Sequence, residues 1–252
     1  EETELDDEST DSQTNNEDME EKELQARLVA LVSDCYWFQL QARPVWQALS
    51  FHYQRTSLDS LFLSNYLEPA PPVIVSPCGA SIMIAALELI DLHVSHGDCG
   101  IVPSIIDGNP GYDHSPFDVR QAGWHTHWLP YKLSDYRIKM ITKPVALHEL
   151  DFRNIITDQE ISQKMLDVDQ SGRVDCMAVW VDYEVSPGNY LKSYQCSTFP
   201  AHMKVNLRLF QHPVTYTDSD IKNLDRKSYI TCTSSFTVGD SAFYYDFECV
   251  KE

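Results

Sequence analysis

Glycine is scarce in this chain, nine among 252 residues, and no Gly-rich phosphate loop, GxGxxG turn or Gly-flanked serine elbow occurs. Their absence removes the usual signatures of nucleotide binding and of serine hydrolysis. Long hydrophobic runs are missing too. No stretch reaches the roughly 18 residues free of charge and proline that a membrane-spanning helix needs, and the acidic N-terminus has the wrong charge for a secretory signal. Positive charge is also short, with 19 Lys and Arg against 38 Asp and Glu, a net charge of -19. Phosphate backbones and anionic membranes would be repelled, which excludes nucleic acid and membrane as partners and leaves basic proteins as the natural counterpart. The seven cysteines, Cys35, Cys78, Cys99, Cys176, Cys196, Cys232 and Cys249, are odd in number and form no Cys-x-x-Cys pair. That pattern, with no Asn-x-Ser/Thr acceptor, predicts a soluble protein of a reducing compartment, cytoplasmic and/or nuclear.

What is present begins with an acidic stretch. Residues 1–23 contain no large aliphatic side chain except Leu5, and are expected to be a disordered acidic tail. From Leu24 to Ser33 the apolar spacing suits either a short helix or a strand. Pro44 to Leu63 reads as a helix with proline in its first turn and Trp46, Leu49, Tyr53 and Leu61 spaced for one face. A stiff Pro-rich connector follows at 68–72. The apolar passage Val73 to Leu92 is the spine of the remainder: its β-branched content favours a strand Val73 to Ser76, a bend at Pro77-Cys78-Gly79, and a long strand from Ala80 to Asp91, over a buried helix. Gly, Pro, Asp and His from Gly97 to Gly123 predict a long loop. Strand signals resume at 136–140, 145–152, 164–168, 176–185, 204–210, 229–237 and 242–250, the last two forming a hairpin. Many short strands with little helix after residue 66 predict a mainly β antiparallel barrel or sandwich over 73–252, with 24–72 as a short helical segment and linker.

Three motifs invite chemistry. Asp167 to Asp175 matches a calcium loop at several positions, but the twelfth is Ala178, where a bidentate carboxylate is required, so the segment is read as a hairpin turning at Gln170-Ser171-Gly172. A calcium-responsive module remains an alternative class. His96 and Cys99, with His93, Asp98 and His114 nearby, could supply imidazole and thiolate to zinc, although loop histidines commonly face solvent. Thr126-His127-Trp128 places polar groups beside aromatics, and packing at a loop edge near Pro130 accounts for them.

Several segments in order carry a resemblance. Trp46 to Thr56 (WQALSFHYQRT), Val75 to Ser81 (VSPCGAS), Glu88 to Leu92 (ELIDL), Gly97 to Cys99, Lys143 to Val145, Leu150 to Phe152 and Ala178 to Tyr183 (AVWVDY) resemble the C-terminal module of tandem-module, monomethylating members of the protein arginine N-methyltransferase family. The resemblance implies a β-barrel that packs against a domain holding S-adenosylmethionine and helps wall a groove for arginine-bearing substrates such as histones.

The departures from that family are as informative. Nothing upstream of Leu24 supplies the strand, the Gly-rich loop and the acidic ribose ligand of the cofactor-binding α/β domain, which is expected to be missing. The family clamps guanidinium between two glutamates; Asp34 stands where the first belongs, and Arg43 to Trp46 where the second would sit. The family's Thr-His-Trp signature maps onto Pro200 to Met203 rather than onto Thr126 to Trp128, so His202 alone is kept. The expectation is a non-catalytic barrel half, binding no S-adenosylmethionine itself, whose partners are an N-terminal catalytic module of the same polypeptide and Arg-rich basic proteins. The alternative is a stand-alone acidic scaffold for Arg-rich proteins.

Overall fold

The computed structural model describes residues 28–35, 43–64, 72–92, 101–102, 111–113, 128–157, 159–195, 198–201, 203–222, 228–239 and 242–251. The acidic segment 1–23 lies outside them, as does most of the expected loop at 97–123.

Strand β1 (Val29–Val32) resolves the choice left open for its segment, and the helix α1 (Arg43–Ser64) lies where proline and helix formers place it. β2 (Val73–Ser76) pairs with β1 in parallel, Val29 opposite Val73 and Val32 opposite Ser76. A parallel pair joined through a helix is a βαβ unit. The face of α1 differs from the one its aromatics suggest. Val45, Ala48 and Phe51 are buried, whereas Trp46 and Tyr53 are 60% and 68% exposed and Leu61 faces out with them. The inward stripe is the one with small residues, which lets the helix approach closely while Phe51 reaches Phe152 with ring centroids 6.0 Å apart.

The spine is a strand, β3 (Gly79–Glu88), preceded by a cis Ser76–Pro77 peptide. It lies inside a seven-stranded sheet together with β6 (Leu129–Tyr131), β7 (Lys139–Met140), β8 (Val145–Asp151), β10 (Gly172–Ser186), β11 (Asn189–Leu191) and β12 (Val205–Tyr216). The path runs β6-β12-β10-β3-β7, with β8 also on β3 and β11 on β10. A second sheet orders β14 (Ala242–Val250), β13 (Tyr229–Thr237) and β9 (Gln159–Asp167), and its β13–β14 pair is the expected closing hairpin. Short strands β4 (Ile101–Val102) and β5 (Tyr112–Asp113) pair alone. The protein is therefore mainly β, as its turn-punctuated strand signals predict.

Two sheets pack face to face. His148 meets Phe243 at 5.2 Å between ring centroids, and Arg208 lies 5.6 Å over the Phe247 ring while donating to the Tyr245 carbonyl. A bridge between Thr142 and Val168 ties their margins. The other face of the large sheet is covered too: Trp180 packs edge-on against Phe199, 5.2 Å between centroids, in the segment after β11. With both faces covered, β10 is buried without interruption from Val174 to Val181, which explains its apolar run from Cys176 to Val181. Inside that run Asp175 is wholly buried, ion-paired with Arg173 at 2.5 Å and accepting the Leu89 N–H at 2.7 Å.

The expected hairpin at Gln170-Ser171-Gly172 is corrected. β9 pairs with β13 and β10 with β3 and β12, so the turn crosses from one sheet to the other. Its sharpness falls on Gly172, whose φ of +149° is a backbone conformation that residues with a Cβ rarely adopt; a Cβ there would also lie 2.4 Å from the end of the Glu88 side chain, which would have to shift.

Candidate functional site

The C-terminal ends of helix-connected parallel strands are where α/β sheets hold ligands. At that end of β1, Val32 and Ser33 meet Trp46, Gln47, Ser50 and Gln54 of α1 around a concavity of about 310 Å³. The spacing 47, 50, 54 brings the three helical polar residues onto one face. Asp34 follows Ser33 with an exposed side chain, and its carbonyl accepts the Gln47 Nε2–H at 3.2 Å. Gln47 is 5% exposed, and its Oε1 has no protein partner. Burial, with the charge of Asp34 second, pushes the Cys35 thiol up, so it is protonated at neutral pH and a poor nucleophile.

Chemically, the cleft offers one buried amide oxygen free to accept and an indole wall, and Asp34, next in the chain after the lining Ser33, is exposed. It can receive N–H donors. Among the described residues no carboxylate lines it, and Arg43 begins α1. Among the described residues, β1 runs directly into Ser33-Asp34-Cys35 with no glycine in that turn. Gln47 escapes a sequence reading that sorts α1 by its aromatics. Its one signal is a polar residue beside the apolar stripe of Val45, Ala48 and Phe51.

His202, His96 and Cys99, with His93, Asp98 and His114, lie outside the described residues. Among the described residues no group of three or more His, Cys, Asp or Glu is placed to hold a metal. In the calcium-like segment the carboxylates diverge, Asp169 pairing with Lys143 at 3.5 Å and buried Asp175 with half-buried Arg173. Trp128 packs at 5.2 Å from Tyr245 and 5.9 Å from Phe247, a core contact at the strand edge.

A parallel βαβ unit leading into a large antiparallel sandwich defines the architectural class. The comparisons with known proteins fall in the same class. No protein-family model matches the chain. Among curated proteins it is 28% identical over 148 residues to protein arginine N-methyltransferase 7 of Danio rerio, covering 56% of the chain and 20% of that protein. It is 25% identical over 176 residues to the Mus musculus protein of that name, covering 68% and 23%. The Drosophila pseudoobscura pseudoobscura protein matches at 30% over 139 residues, covering 53% and 18%. The matched region thus spans about a fifth of each relative's length. A crystal structure of PRMT6 shares the fold at 12% identity, with a TM-score of 0.52 over 93% of this chain and 71% of that one. The chain is thus similar at low identity to proteins named protein arginine N-methyltransferase 7 and shares a fold with PRMT6.

Proposed function

We propose that this chain is a non-catalytic half of a protein arginine N-methyltransferase, packing beside an active module that holds S-adenosylmethionine and transfers its methyl group to protein arginines. The observation that supports this reading is the β1–α1–β2 unit. Two-stranded parallel sheets bury both faces in stable domains. Here Leu28, Val32 and Ile74 are 57%, 74% and 51% exposed, an apolar surface suited to the margin of a larger α/β domain. Among the described residues, those lining the cleft at Gln47 include no paired carboxylates of the kind that position guanidinium for attack on a sulfonium methyl, and methyl transfer depends on such positioning and electrostatics.

The test has two arms. The isolated chain titrated with S-adenosylmethionine in a calorimeter is expected to give no heat of binding, and micromolar affinity would overturn the reading. In a longer polypeptide that carries both this region and an active module, deleting residues 28–252 is expected to abolish methylation of an Arg-rich peptide; full retained activity would equally refute it. Net charge favours a second reading, a stand-alone scaffold for Arg-rich proteins, which predicts peptide binding with no effect of that deletion.

A further inference from the structure

The face of α1 opposite its buried stripe has a regular composition. Trp46, Ser50, Tyr53, Ser57 and Ser60 are all exposed and follow one another at steps of four, three, four and three residues, with Leu61 beside them. Those steps are the spacing of a seam between two packed helices, whereas a solvated helix face is normally covered with charge. None of the three charged residues of α1, Arg43, Arg55 and Asp59, belongs to the seam, and Arg55 is turned away to donate to the Arg153 carbonyl.

The polar groups on and beside this seam are bonded back onto their own helix. The Ser57 hydroxyl donates to the Tyr53 carbonyl at 2.9 Å, the Ser60 hydroxyl to the Thr56 carbonyl at 2.9 Å and the Thr56 hydroxyl to the His52 carbonyl at 3.0 Å, while Gln54 Nε2 donates to Ser50 Oγ at 3.2 Å. A hydroxyl whose proton is already placed on a carbonyl one turn back can be covered by apolar surface without leaving a donor orphaned. The face is therefore exposed, uncharged and ready to be dried. Side-chain size also runs in one direction along it, from Trp46 and Tyr53 in the N-terminal half to Ser57 and Ser60 in the C-terminal half.

We propose that two copies of this chain associate through α1, antiparallel about a two-fold axis at Tyr53. In that arrangement Trp46 lies opposite the partner's Ser60, Ser50 opposite the partner's Ser57, and Tyr53 opposite the partner's Tyr53. Each large side chain then enters a hole left by small ones, and the contact is self-complementary, as a two-fold interface requires. Charge favours the same face. The chain carries -19, whereas the two arginines and one aspartate of α1 leave that element at +1, so two acidic copies meet there with the least repulsion. A helix of 22 residues is about 33 Å long and about 10 Å across, which offers less than the roughly 800 Å² per partner of a standard stable interface, so the dimer is weak and dissociates on dilution. The inference does not rest on the methyltransferase reading, whose apolar margin is formed by the strand residues Leu28, Val32 and Ile74.

The experiment is sedimentation equilibrium of the full 252-residue chain from about 5 to about 500 µM, a span that brackets weak association. A monomer–dimer equilibrium is expected. Raising the salt from about 0.05 to about 0.5 M should tighten it several-fold, because screening relieves the repulsion between two acidic copies. W46S, which removes the knob, and S60W, which fills the hole, are each expected to weaken the dimer about tenfold or more. The double variant W46S/S60W exchanges knob and hole and is expected to return to within a few-fold of the original affinity, which non-specific stickiness of a tryptophan would not do. S57E, which sets a carboxylate against the partner's Ser50, should weaken association as well. Because these positions are exposed, the melting temperature at about 5 µM serves as the control for folding. A chain that stays monomeric throughout, association that salt weakens, single variants that dimerise like the original chain, or a double variant no tighter than the singles would overturn the proposal.

Discussion

At the scale of single residues, the polar groups that matter are those whose partners are few. Gln47 gives one hydrogen bond to the Asp34 carbonyl and buries an Oε1 with no protein partner. A made hydrogen bond contributes about 1 kcal/mol net, while an unsatisfied buried acceptor costs about 1–3 kcal/mol. Gln47→Met, which keeps the volume and removes both, is therefore expected to leave stability unchanged or raise it by up to about 1 kcal/mol in urea unfolding. A loss of that size would show instead that Oε1 is engaged.

Asp220 is the converse case. The Thr217 N–H donates to its carboxylate at 2.7 Å, Lys251 lies 3.0 Å away, and the Thr217 hydroxyl donates as well, so its pKa falls to about 2. A depressed carboxyl pKa adds stability that is complete above the unfolded value near 3.8 and is lost as pH falls through about 2. Asp220→Asn should lower the melting temperature at pH 6 and lose its effect as pH approaches 2. A constant difference at both pH values would assign the effect to packing rather than charge.

At the scale of elements, α1 shows how periodicity can select the wrong side. Trp46, Leu49, Tyr53 and Leu61 share a helical face, but Val45, Ala48 and Phe51 form the buried one. Helical spacing identifies which residues lie together and not which group meets the core. Phe51→Ala should cost about 3–5 kcal/mol through the contact with Phe152. Tyr53→Ala should stay within about 0.5 kcal/mol. Equal losses in thermal unfolding would restore the aromatic face as the buried one. Strands were more legible. β13 and β14 match their sequence limits, because a two-residue alternation with turn residues between them contains all the information a hairpin needs. β9 and β10 cover most of the expected segments 164–168 and 176–185 but begin earlier, at Gln159 and Gly172, and their joining turn crosses between sheets.

At the scale of the whole molecule, the chain's own composition determined a great deal. Turn-punctuated β-branched runs dictated a mainly β protein, and the helix formers after Pro44 dictated α1. These are local properties, set by backbone preference and by the period of apolar residues. Asp34 was singled out only by the family resemblance, whereas Gln47 needed the helix docked before its burial appeared. Partner choice was decided only by tertiary structure: β2 joins β1 in parallel, β9 joins β13, and Ser81 is brought between Glu149 and Asp182 from three separated segments. A strand's alternation fixes which side chains share a face, but any other strand with a matching apolar face can lie beside it. The choice among them comes from burying all faces at once, a condition on the assembled sheets that no single stretch of sequence carries.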